Sequence, residues 1–240
     1  MLTIAAFRTT GLLALIAASL GAADLPQPPV VDPGGPGKAP SDAIVLFDGK
    51  DVAEWVHRDG SPAKWNVTNG EMVCNTGSGN ILTKRKFGSA QIHIEFSTPL
   101  QAEAKGQARG NSGVYLQGRY ELQVLDSYNN PTYSDGSAGA LYQQSAPAVN
   151  ASKSPQQWQS YDIVFHAPKC YGSSVLEPGT VTVLHNGVLI QDHFALEGPT
   201  PGGTGGDPCE PGPILLQDHI HQDVKETPLR FRNIWVRELE

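Results

Sequence analysis

The sequence predicts an all-β domain, a two-sheet β-sandwich or jelly roll, and three observations support that fold class. Gly (26) and Pro (19) together make 45 of the 240 residues whereas Met occurs twice, a balance that suits many short strands better than long helices. Short segments rich in β-branched and aromatic residues alternate with turn sequences. No ten-residue window has a convincing helical period.

Twelve strands follow from this pattern, near residues 44–47, 63–67, 71–75, 80–83, 90–97, 112–117, 119–126, 160–166, 180–185, 187–192, 213–219 and 229–238. Several of these runs end at a turn signal, such as Asn69-Gly70 after the second, Gly118 after the sixth and Asn186-Gly187 after the ninth. This number of strands in about 200 residues indicates two packed sheets.

The first 23 residues have the layout of a secretory signal peptide. Arg8 is the only charge before an apolar stretch from Gly11 to Leu20, and small residues follow at 21–23. The stretch is shorter than the roughly 20 apolar residues that cross a membrane, so we expect no membrane span. We therefore expect an exported protein, periplasmic or extracellular, with a flexible Pro/Gly-rich leader at 24–42 and a folded domain at 43–240.

The charge balance and the missing motifs argue against several functional classes. The chain carries 24 acidic and 17 basic residues without a Lys/Arg run, so nucleic acid is not an expected partner. It also lacks Gly-x-Ser-x-Gly, a phosphate-binding loop, His-Glu-x-x-His and a dinucleotide fingerprint. No cofactor is therefore evident from motifs.

The three cysteines divide into a pair and a single residue. Cys170 and Cys209 lie in Gly/Pro-rich loops, so a disulfide between them is expected in an exported protein. Cys74 lies in a predicted strand and is interpreted as a small buried hydrophobic residue.

Alternation within the central strands places polar residues on one side of each strand. In Ile92-His93-Ile94-Glu95-Phe96 the apolar residues share one face and the two polar residues share the other. The same rule yields a polar set without Lys that we expect a single sheet to carry: Glu95, Tyr115, Gln117, Glu121, Gln123, Gln217 and His219. Such a face is either an ordinary solvated surface or one that binds sugar hydroxyls and performs acid/base chemistry.

Other features leave alternatives open. The long loops 127–157 and 198–212 are expected to serve function, with disorder as the competing explanation. Arg230 and Arg232 share a strand face with Ile234, so one should be partly buried and paired with Asp126, with Glu95 or with a substrate oxygen. The tryptophans are expected in the core rather than on sugar rings: Trp55, Trp65, Trp158 and Trp235.

Five blocks of sequence are distinctive when taken together: Leu46-Phe47-Asp48-Gly49-Lys50 with Trp55, Arg109 to Glu121, Gln123 to Ser127, Val183 to Val188, and Leu216 to His219 with Phe231 to Trp235. In this order they resemble the 3-keto-disaccharide hydrolase family over about residues 43–239. The resemblance implies a concanavalin-like jelly roll, export, and action on glycosides that a separate oxidoreductase has oxidised at C3.

The implied chemistry starts at the ketone. A C3 ketone acidifies the C2 proton, so a base removes it and the C1 substituent leaves by β-elimination, with water added later or by a partner enzyme. Whether cleavage ends as elimination or as hydrolysis stays open. On the matching positions we expect Glu121 or His219 as the base, and Arg232 or a divalent cation as the group that stabilises the enolate oxygen. The remaining matched side chains are expected to bind or orient the sugar: Glu95, Arg109, Asn111, Tyr115, Gln117, Gln123, Asp126 and Gln217.

Residues 220–228 depart from the short turn that follows Asp-His in the family, which leaves the substrate open. His221 and Asp223 in this segment either bind a metal or belong to a solvated loop. Two alternatives to a 3-keto-glycoside enzyme also stay open. One is a non-catalytic, lectin-like carbohydrate-binding module, and the other is an ordinary glycosidase with two carboxylates that acts on unoxidised sugars.

Overall fold

Two antiparallel sheets form a β-sandwich of the jelly-roll type in the computed structural model, which describes residues 27–35, 37–219 and 228–239. The strands of this described part are β1 (Ile44–Phe47), β2 (Trp55–Val56), β3 (Asn66–Thr68), β4 (Glu71–Val73), β5 (Ile81–Thr83), β6 (Ala90–Ser97), β7 (Asn111–Leu116), β8 (Tyr120–Leu125), β9 (Gln159–His166), β10 (Lys169–Tyr171), β11 (Ser174–Glu177), β12 (Thr180–His185), β13 (Val188–Ala195), β14 (Leu215–Leu216) and β15 (Arg230–Glu238). Two short 3-10 turns, Gly106–Ala108 and Ser134–Gly136, accompany them.

The larger sheet has eight strands in the order β13-β12-β9-β6-β15-β4-β3, with β1 also paired to β15. The smaller sheet has five strands in the order β2-β5-β14-β7-β8, and β10 pairs with β11 as a separate hairpin. This arrangement confirms the fold class expected from the sequence.

The core lies between the two sheets because the strands alternate. In β6, Ile92 and Ile94 are buried in the core, whereas His93 is on the opposite face. Val114 and Leu122 of β7 and β8 belong to the same buried cluster from the other sheet. Each fully buried side chain of this size contributes about 1.5–3 kcal/mol to folding.

Tight turns fix the register of three hairpins. Asn69-Gly70 (φ 54° and 77°), Gln117-Gly118 (50° and 66°) and Asn186-Gly187 (52° and 80°) have positive φ at both residues. Two successive left-handed residues are typical of the type I′ turn, whose twist matches that of paired strands. The two Asn-Gly turns fall where the sequence predicts them.

Several short elements differ from the expected pattern. The sequence does not predict β2 or the β10–β11 hairpin. The strand expected at 213–219 is shorter in the structure, where β14 comprises Leu215–Leu216. β2 has two residues, and β11 is exposed along its whole length. Two residues are too few to show alternation, and a strand that is exposed on both sides has no buried face for alternation to mark.

The N-terminal region is described in part. The described residues from Val31 onwards form one compact unit, and of residues 1–30 the structure describes 27–30, which are irregular and exposed. The predicted signal peptide (1–23) lies outside the described residues, as do His221 and Asp223. Within the predicted leader, Ser41 N donates to Asp32 O (2.9 Å). In the described ranges, no helix is long and apolar enough to cross a membrane.

The cysteines occupy the environments that the sequence suggests. Cys170 of β10 and Cys209 form a disulfide with a Cα–Cα distance of 5.8 Å, which ties the hairpin to the 198–212 loop. Cys74 is buried and free, and burial raises the pKa of its thiol. It therefore stays a protonated, unreactive core residue.

Candidate active site

A polar cleft of about 200 Å³ lies on the face of the five-stranded sheet that points away from the core. We call it the active-site cleft, and its lining residues are Gln107, Asn111, Tyr115, Glu121, Gln123, Tyr142, Pro201, Gly202, Gln217 and His219. β7 and β8 are buried on both faces, because the core covers one side and loops cover the other. The cleft is thus a partly enclosed site rather than an open sheet surface.

A hydrogen-bonded trio stands at the centre of the cleft. Tyr115 and Glu121 face each other across β7 and β8, and the Tyr115 hydroxyl donates to Glu121 Oε2 (2.8 Å). Gln217 Nε2 donates to the Tyr115 hydroxyl oxygen (3.1 Å), which also lies 2.9 Å from the backbone oxygen of Pro201. Burial raises the pKa of Tyr115, so the hydroxyl stays a neutral donor.

Glu121 is the electrostatically unusual member of this trio. Its side chain has 3% relative exposure, and burial raises the pKa of its carboxyl group to about 7, against the opposing effect of the Tyr115 hydrogen bond. Among the described residues that line the cleft there is no Lys or Arg to compensate its charge. A carboxylate with this pKa is poised to accept a proton near neutral pH.

A glycine leaves room for this carboxyl group. A Cβ atom at Gly113 would lie 2.9 Å from Glu121 Cδ and from Tyr115 Cε2. The two side chains therefore pack over a position in β7 that carries none. A methyl group here would displace Glu121.

The Gln123 amide is a further hydrogen-bond partner of Glu121. Its nitrogen, turned towards β7, donates to Ser112 O (3.1 Å) and to Glu121 Oε1 (3.2 Å). The reverse orientation would place the amide oxygen against these two acceptors. The amide nitrogen therefore faces Glu121 and is a second neutral donor to its carboxyl group.

The end of β14 is held so that Gln217 and His219 face the cleft. Gln217 N donates to Gly113 O (3.0 Å), and the Ser112 hydroxyl donates to Gln217 O (2.7 Å). Asp218 points the other way, where its Oδ2 accepts from Gly77 N and Gly79 N (both 2.8 Å). Asp218 is thus a positioning residue for its two neighbours.

Loops supply the cleft residues that alternation cannot predict. Pro201 and Gly202 come from the 198–212 loop, and Tyr142 comes from the 127–157 loop, where its hydroxyl lies 2.8 Å from that of Tyr133. Gln107 lies in the first 3-10 turn. The one available signal was the length of the two loops, which the sequence analysis interprets as functional.

The 198–212 loop is fastened to the β7–β8 turn. Thr200 N donates to Arg119 O (2.8 Å), and the Thr200 hydroxyl accepts from Glu121 N (2.9 Å). The Arg119 guanidinium donates to Glu210 O (3.0 Å) and to Gln117 Oε1 (3.0 Å). The loop therefore packs as a fixed wall of the cleft.

Glu95 and Arg232 are not part of this cleft, which corrects the expectation of one shared polar face. They lie on β6 and β15 of the eight-stranded sheet, whereas Glu121 lies on β8 of the five-stranded sheet. Alternation fixes which side of a strand is polar, but not which sheet the strand joins. Arg232 therefore does not belong to the same site as Glu121, contrary to the expectation that it stabilises an enolate formed there.

On the outer face of the eight-stranded sheet these residues form an ion cluster. Arg232 Nε donates to Glu95 Oε2 (2.6 Å), and Asn233 Nδ2 donates to Glu95 Oε1 (2.9 Å). His93 Nδ1 lies 2.6 Å from Asp162 Oδ1, and its Nε2 lies 3.7 Å from Glu95 Oε1. We call these five residues the outer-face cluster.

Neighbouring groups of opposite charge set the pKa values of the ionisable residues in this cluster. His93 lowers the pKa of Glu95 most, and Asn233 and Arg232 lower it further, to about 2. Burial by itself would lower the pKa of His93, but Asp162 and Glu95 raise it to about 9. The cluster is therefore a set of ion pairs at neutral pH, with no group poised for proton transfer.

The tryptophans divide between the core and this outer face. Trp55 and Trp65 are core residues, as expected. Trp235 instead stacks on His93 (centroids 5.2 Å apart), and the Arg232 guanidinium lies 4.1 Å from the ring centroid of Trp158. These two rings are covered by charged groups of the protein.

Three other expected sugar-binding residues lie outside the cleft lining. Gln117 belongs to the turn after β7, with φ of 50°, and its Nε2 donates to Phe87 O (3.2 Å). Arg109 and Asp126 pair with each other (3.3 Å) beside the opposite end of the β7–β8 hairpin. Their polar groups hold the scaffold, whereas the other expected residues, Asn111, Tyr115, Gln123 and Gln217, line the cleft with Glu121 and His219.

The cleft offers a limited set of metal-binding groups. Glu121 and His219 are side chains of the kind that bind divalent cations, and the amide oxygens of Asn111 and Gln217 are further candidates. Gln217 Oε1 is buried without a hydrogen-bond partner in the described part of the chain. No group of three or more His, Cys, Asp and Glu assembles among the described residues, so a bound cation stays a prediction.

A jelly roll whose smaller sheet carries a buried carboxylate amid sugar-compatible hydrogen-bonding groups fits a carbohydrate-active enzyme, and the comparisons with known proteins indicate the same class. Residues 42–237 match the model of the 3-keto-alpha-glucoside-1,2-lyase-like domain, and the chain belongs to that family. The match confirms the resemblance found in the five sequence blocks.

Solved structures agree with this assignment. A provisionally assigned glycosyl hydrolase from Parabacteroides distasonis is 45% identical, with a TM-score of 0.81 over 90% of this chain and 93% of that one. A second one from the same organism is 20% identical, with a TM-score of 0.61 over 83% of this chain and 94% of that one, and shows the fold alone. No curated protein matches the chain significantly.

Proposed function

We propose that this protein cleaves 3-keto-glycosides by β-elimination, with Glu121 as the base that removes the C2 proton. The observation that supports this most strongly is the buried Glu121 carboxyl with its pKa raised to about 7. The family name, a 1,2-lyase-like domain of 3-keto-glucosides, supports the same bond change. The substrate would come from a separate oxidoreductase that converts the C3 hydroxyl of a glycoside to a ketone.

The proposed reaction is an elimination across C1 and C2. Glu121 takes the proton from C2, the electrons of that bond form the enolate of the C3 ketone, and collapse of the enolate forms the C1–C2 double bond. The bond between C1 and the leaving oxygen breaks, and that oxygen takes up a proton from an acid, for which His219 is our candidate. Addition of water to the enone then gives the product of net hydrolysis.

Neutral hydrogen-bond donors would stabilise the enolate oxygen in place of Arg232. The Tyr142 hydroxyl and the amide of Asn111 line the same cleft as Glu121. A hydrogen-bond donor that faces a developing oxyanion typically lowers the activation free energy by about 3–4 kcal/mol. A divalent cation held by the amide oxygens of Asn111 and Gln217 would leave Glu121 free as the base and would supply Lewis-acid stabilisation of the enolate oxygen; addition of a chelator tests for it.

Two other functions fit the fold less well. A glycosidase that uses two carboxylates needs a second acid beside the first, but Glu121 is the one carboxylate in the described cleft lining. A lectin-like module commonly presents aromatic platforms, whereas Trp158 and Trp235 are covered by Arg232 and His93.

The test is turnover by the purified protein of 4-nitrophenyl 3-keto-glucosides of both anomers beside the unoxidised glucosides. We expect nitrophenolate from a keto substrate alone, with slower release when C2 carries deuterium. Release from unoxidised glucosides would support the two-carboxylate glycosidase. Sugar binding without release from any substrate would support the lectin-like module.

Export to the periplasm or the exterior is also part of the proposal, on the basis of residues 1–23. Expression with these residues, followed by N-terminal sequencing of exported protein, tests it. A mature chain that begins within a residue of Asp24 is expected. Retention of an intact N-terminus inside the cell would contradict export.

A further inference from the structure

We infer that a second hollow beside the active-site cleft binds the leaving group of the substrate and favours a leaving group that carries a carboxylate; this rests on the proposed function. The hollow has a volume of about 410 Å³. Its polar lining includes His57, Arg58, Lys64 and Asn80, and its inner edge is formed by Leu82 and Leu215. We call it the basic hollow.

The two hollows are neighbours on one face of the five-stranded sheet. Leu215 of β14 pairs with Leu82 of β5 on one side and with Tyr115 of β7 on the other. These three side chains form a buried apolar cluster of their own, separate from the main core. Since paired strands lie about 4.8 Å apart, roughly 10 Å separates β5 from β7. Glu121 lies on β8, but its carboxyl group lies over Gly113 of β7, where a Cβ atom would be 2.9 Å from Glu121 Cδ. A glycoside whose C2 is at this carboxyl group and whose leaving group points towards β5 would extend over the strip into the basic hollow.

One loop borders both hollows. Gly202 lines the active-site cleft, and a Cβ atom on it would lie 2.7 Å from the Tyr115 hydroxyl. The next residue, Gly203, accepts a hydrogen bond at its backbone oxygen from Arg58 Nη2 (2.7 Å). The 198–212 loop therefore forms part of the active-site cleft at Gly202 and contacts Arg58 of the basic hollow at Gly203. This arrangement is expected if a single substrate occupies both hollows.

The charge available in the basic hollow is positive. Arg58 and Lys64 are exposed, and the Lys64 ammonium group has no hydrogen-bond or ion-pair partner among the described residues. The neighbouring carboxylate of Asp59 is engaged by Ser61, whose N (3.0 Å) and hydroxyl (2.6 Å) donate to it. Lys64 and Arg58, which uses one of its nitrogens on Gly203 O, face a single carboxylate, that of Asp59. Two cations against one carboxylate favour an anionic group.

His57 contributes shape rather than charge to the basic hollow. Lys64 N donates to His57 Nε2 (3.0 Å), so the ring proton lies on Nδ1, which donates to Asn80 O (3.0 Å). Both ring nitrogens are thus used within the protein. Selectivity for a carboxylate therefore comes from Arg58 and Lys64. The apolar strip of Leu82, Leu215 and Tyr115 would lie beneath the ring of the leaving group.

The test compares two nearly isosteric substrates, the 3-keto-glucosides of 4-hydroxybenzoate and 4-hydroxybenzamide, linked through the phenol oxygen. We expect kcat/KM to be about tenfold higher for the carboxylate, because two exposed cations each add a modest attraction for it. The ratio should fall as salt is raised, because screening weakens exposed ion pairs. Lys64→Met should lower the ratio about threefold and Lys64→Arg should restore it.

Lys86→Met is the matched control, because Lys86 is exposed and lies outside the lining of both hollows. It should leave the ratio unchanged. A wild-type ratio near one, or an equal effect of Lys64→Met and Lys86→Met, would overturn the inference while leaving the proposed function intact. Absence of turnover for every keto substrate would instead overturn the proposed function and, with it, the inference.

Discussion

Glu121 and Glu95 have opposite electrostatic environments, although each is a glutamate on the face of a sheet that points away from the core. Glu121 accepts hydrogen bonds from the neutral groups of Tyr115 and Gln123, and burial raises the pKa of its carboxyl group to about 7. Glu95 is surrounded by His93, Asn233 and Arg232, which lower the pKa of its carboxyl group to about 2. The two groups differ by about five pH units in the point at which they accept a proton.

The difference in pKa assigns the two glutamates different roles, proton transfer for Glu121 and stabilisation of the fold for Glu95. A compensated carboxylate contributes ion pairs to the stability of the fold, but it does not accept a proton near neutral pH. An uncompensated carboxylate destabilises the folded state when ionised and is for that reason a base of useful strength. Residue type alone does not distinguish the two, since both sites combine a glutamate with a nearby histidine.

The largest effect should come from removing the proposed base. Glu121→Gln keeps the shape of the side chain but removes its basicity, so we expect kcat on a 3-keto-glucoside to fall about 1,000-fold. Glu95→Gln is the matched control in the other sheet and should retain kcat within about twofold. Comparable losses in both variants would remove the distinction between the two regions.

The pH dependence of stability should have opposite signs for the two groups. The folded pKa of Glu121 (about 7) exceeds its unfolded value of 4.5, so the unfolding free energy should decrease by about 3 kcal/mol as pH rises from 4.5 to 7. Urea unfolding of wild type and Glu121→Gln at several pH values measures this contribution as their difference. The variant should lack the decrease.

Glu95 supplies the contrast in the same experiment. Its folded pKa (about 2) lies below the unfolded value of 4.5, so its stabilising contribution is present above pH 4.5 and is lost as pH falls towards 2. Glu95→Gln should lack that acid-dependent loss. If Glu121→Gln, like Glu95→Gln, lacked only a loss of stability at low pH, burial would not be what sets the pKa of Glu121.

A smaller effect is expected when Glu121 is displaced rather than removed. Gly113→Ala introduces a methyl group against the Glu121 carboxyl and the Tyr115 ring, so we expect kcat to fall about 30-fold. Gly88→Ala, where a Cβ atom meets nothing within 4 Å, is the control and should leave kcat unchanged. Equal kcat in the two variants would mean that the Glu121 position has little effect on the reaction.

Much of the fold was predictable because its signals are local. The alternation in β6, β7 and β8 and the Asn69-Gly70 and Asn186-Gly187 turns identify strands and hairpins without knowledge of their partners. The same alternation correctly groups Tyr115, Glu121, Gln123, Gln217 and His219 around one cleft. These residues lie on β7, on β8 and in the segment that continues β14, and the three strands are neighbours in the smaller sheet.

The errors arise where the arrangement is not local. β6 precedes β7 in the chain but joins the other sheet, so parity alone could not separate Glu95 and Arg232 from Glu121. Gln117 continues the polar pattern of β7, yet it adopts φ of 50° and belongs to the turn. Tyr142 and Gly202 come from irregular loops, which have no period to analyse.

The pH dependence of kcat/KM on a 3-keto-glucoside tests the central claim most directly, because it reports the ionisation of the free enzyme's base. With a 4-nitrophenyl leaving group, which departs as the phenolate without a proton from His219, the account predicts activity that rises with pH through an apparent pKa of about 7, in line with the raised pKa of Glu121. In Glu121→Gln the residual activity should lack this step. A wild-type profile that is already flat from pH 5 upward would contradict the account, because it would give the base the pKa of an ordinary exposed glutamate.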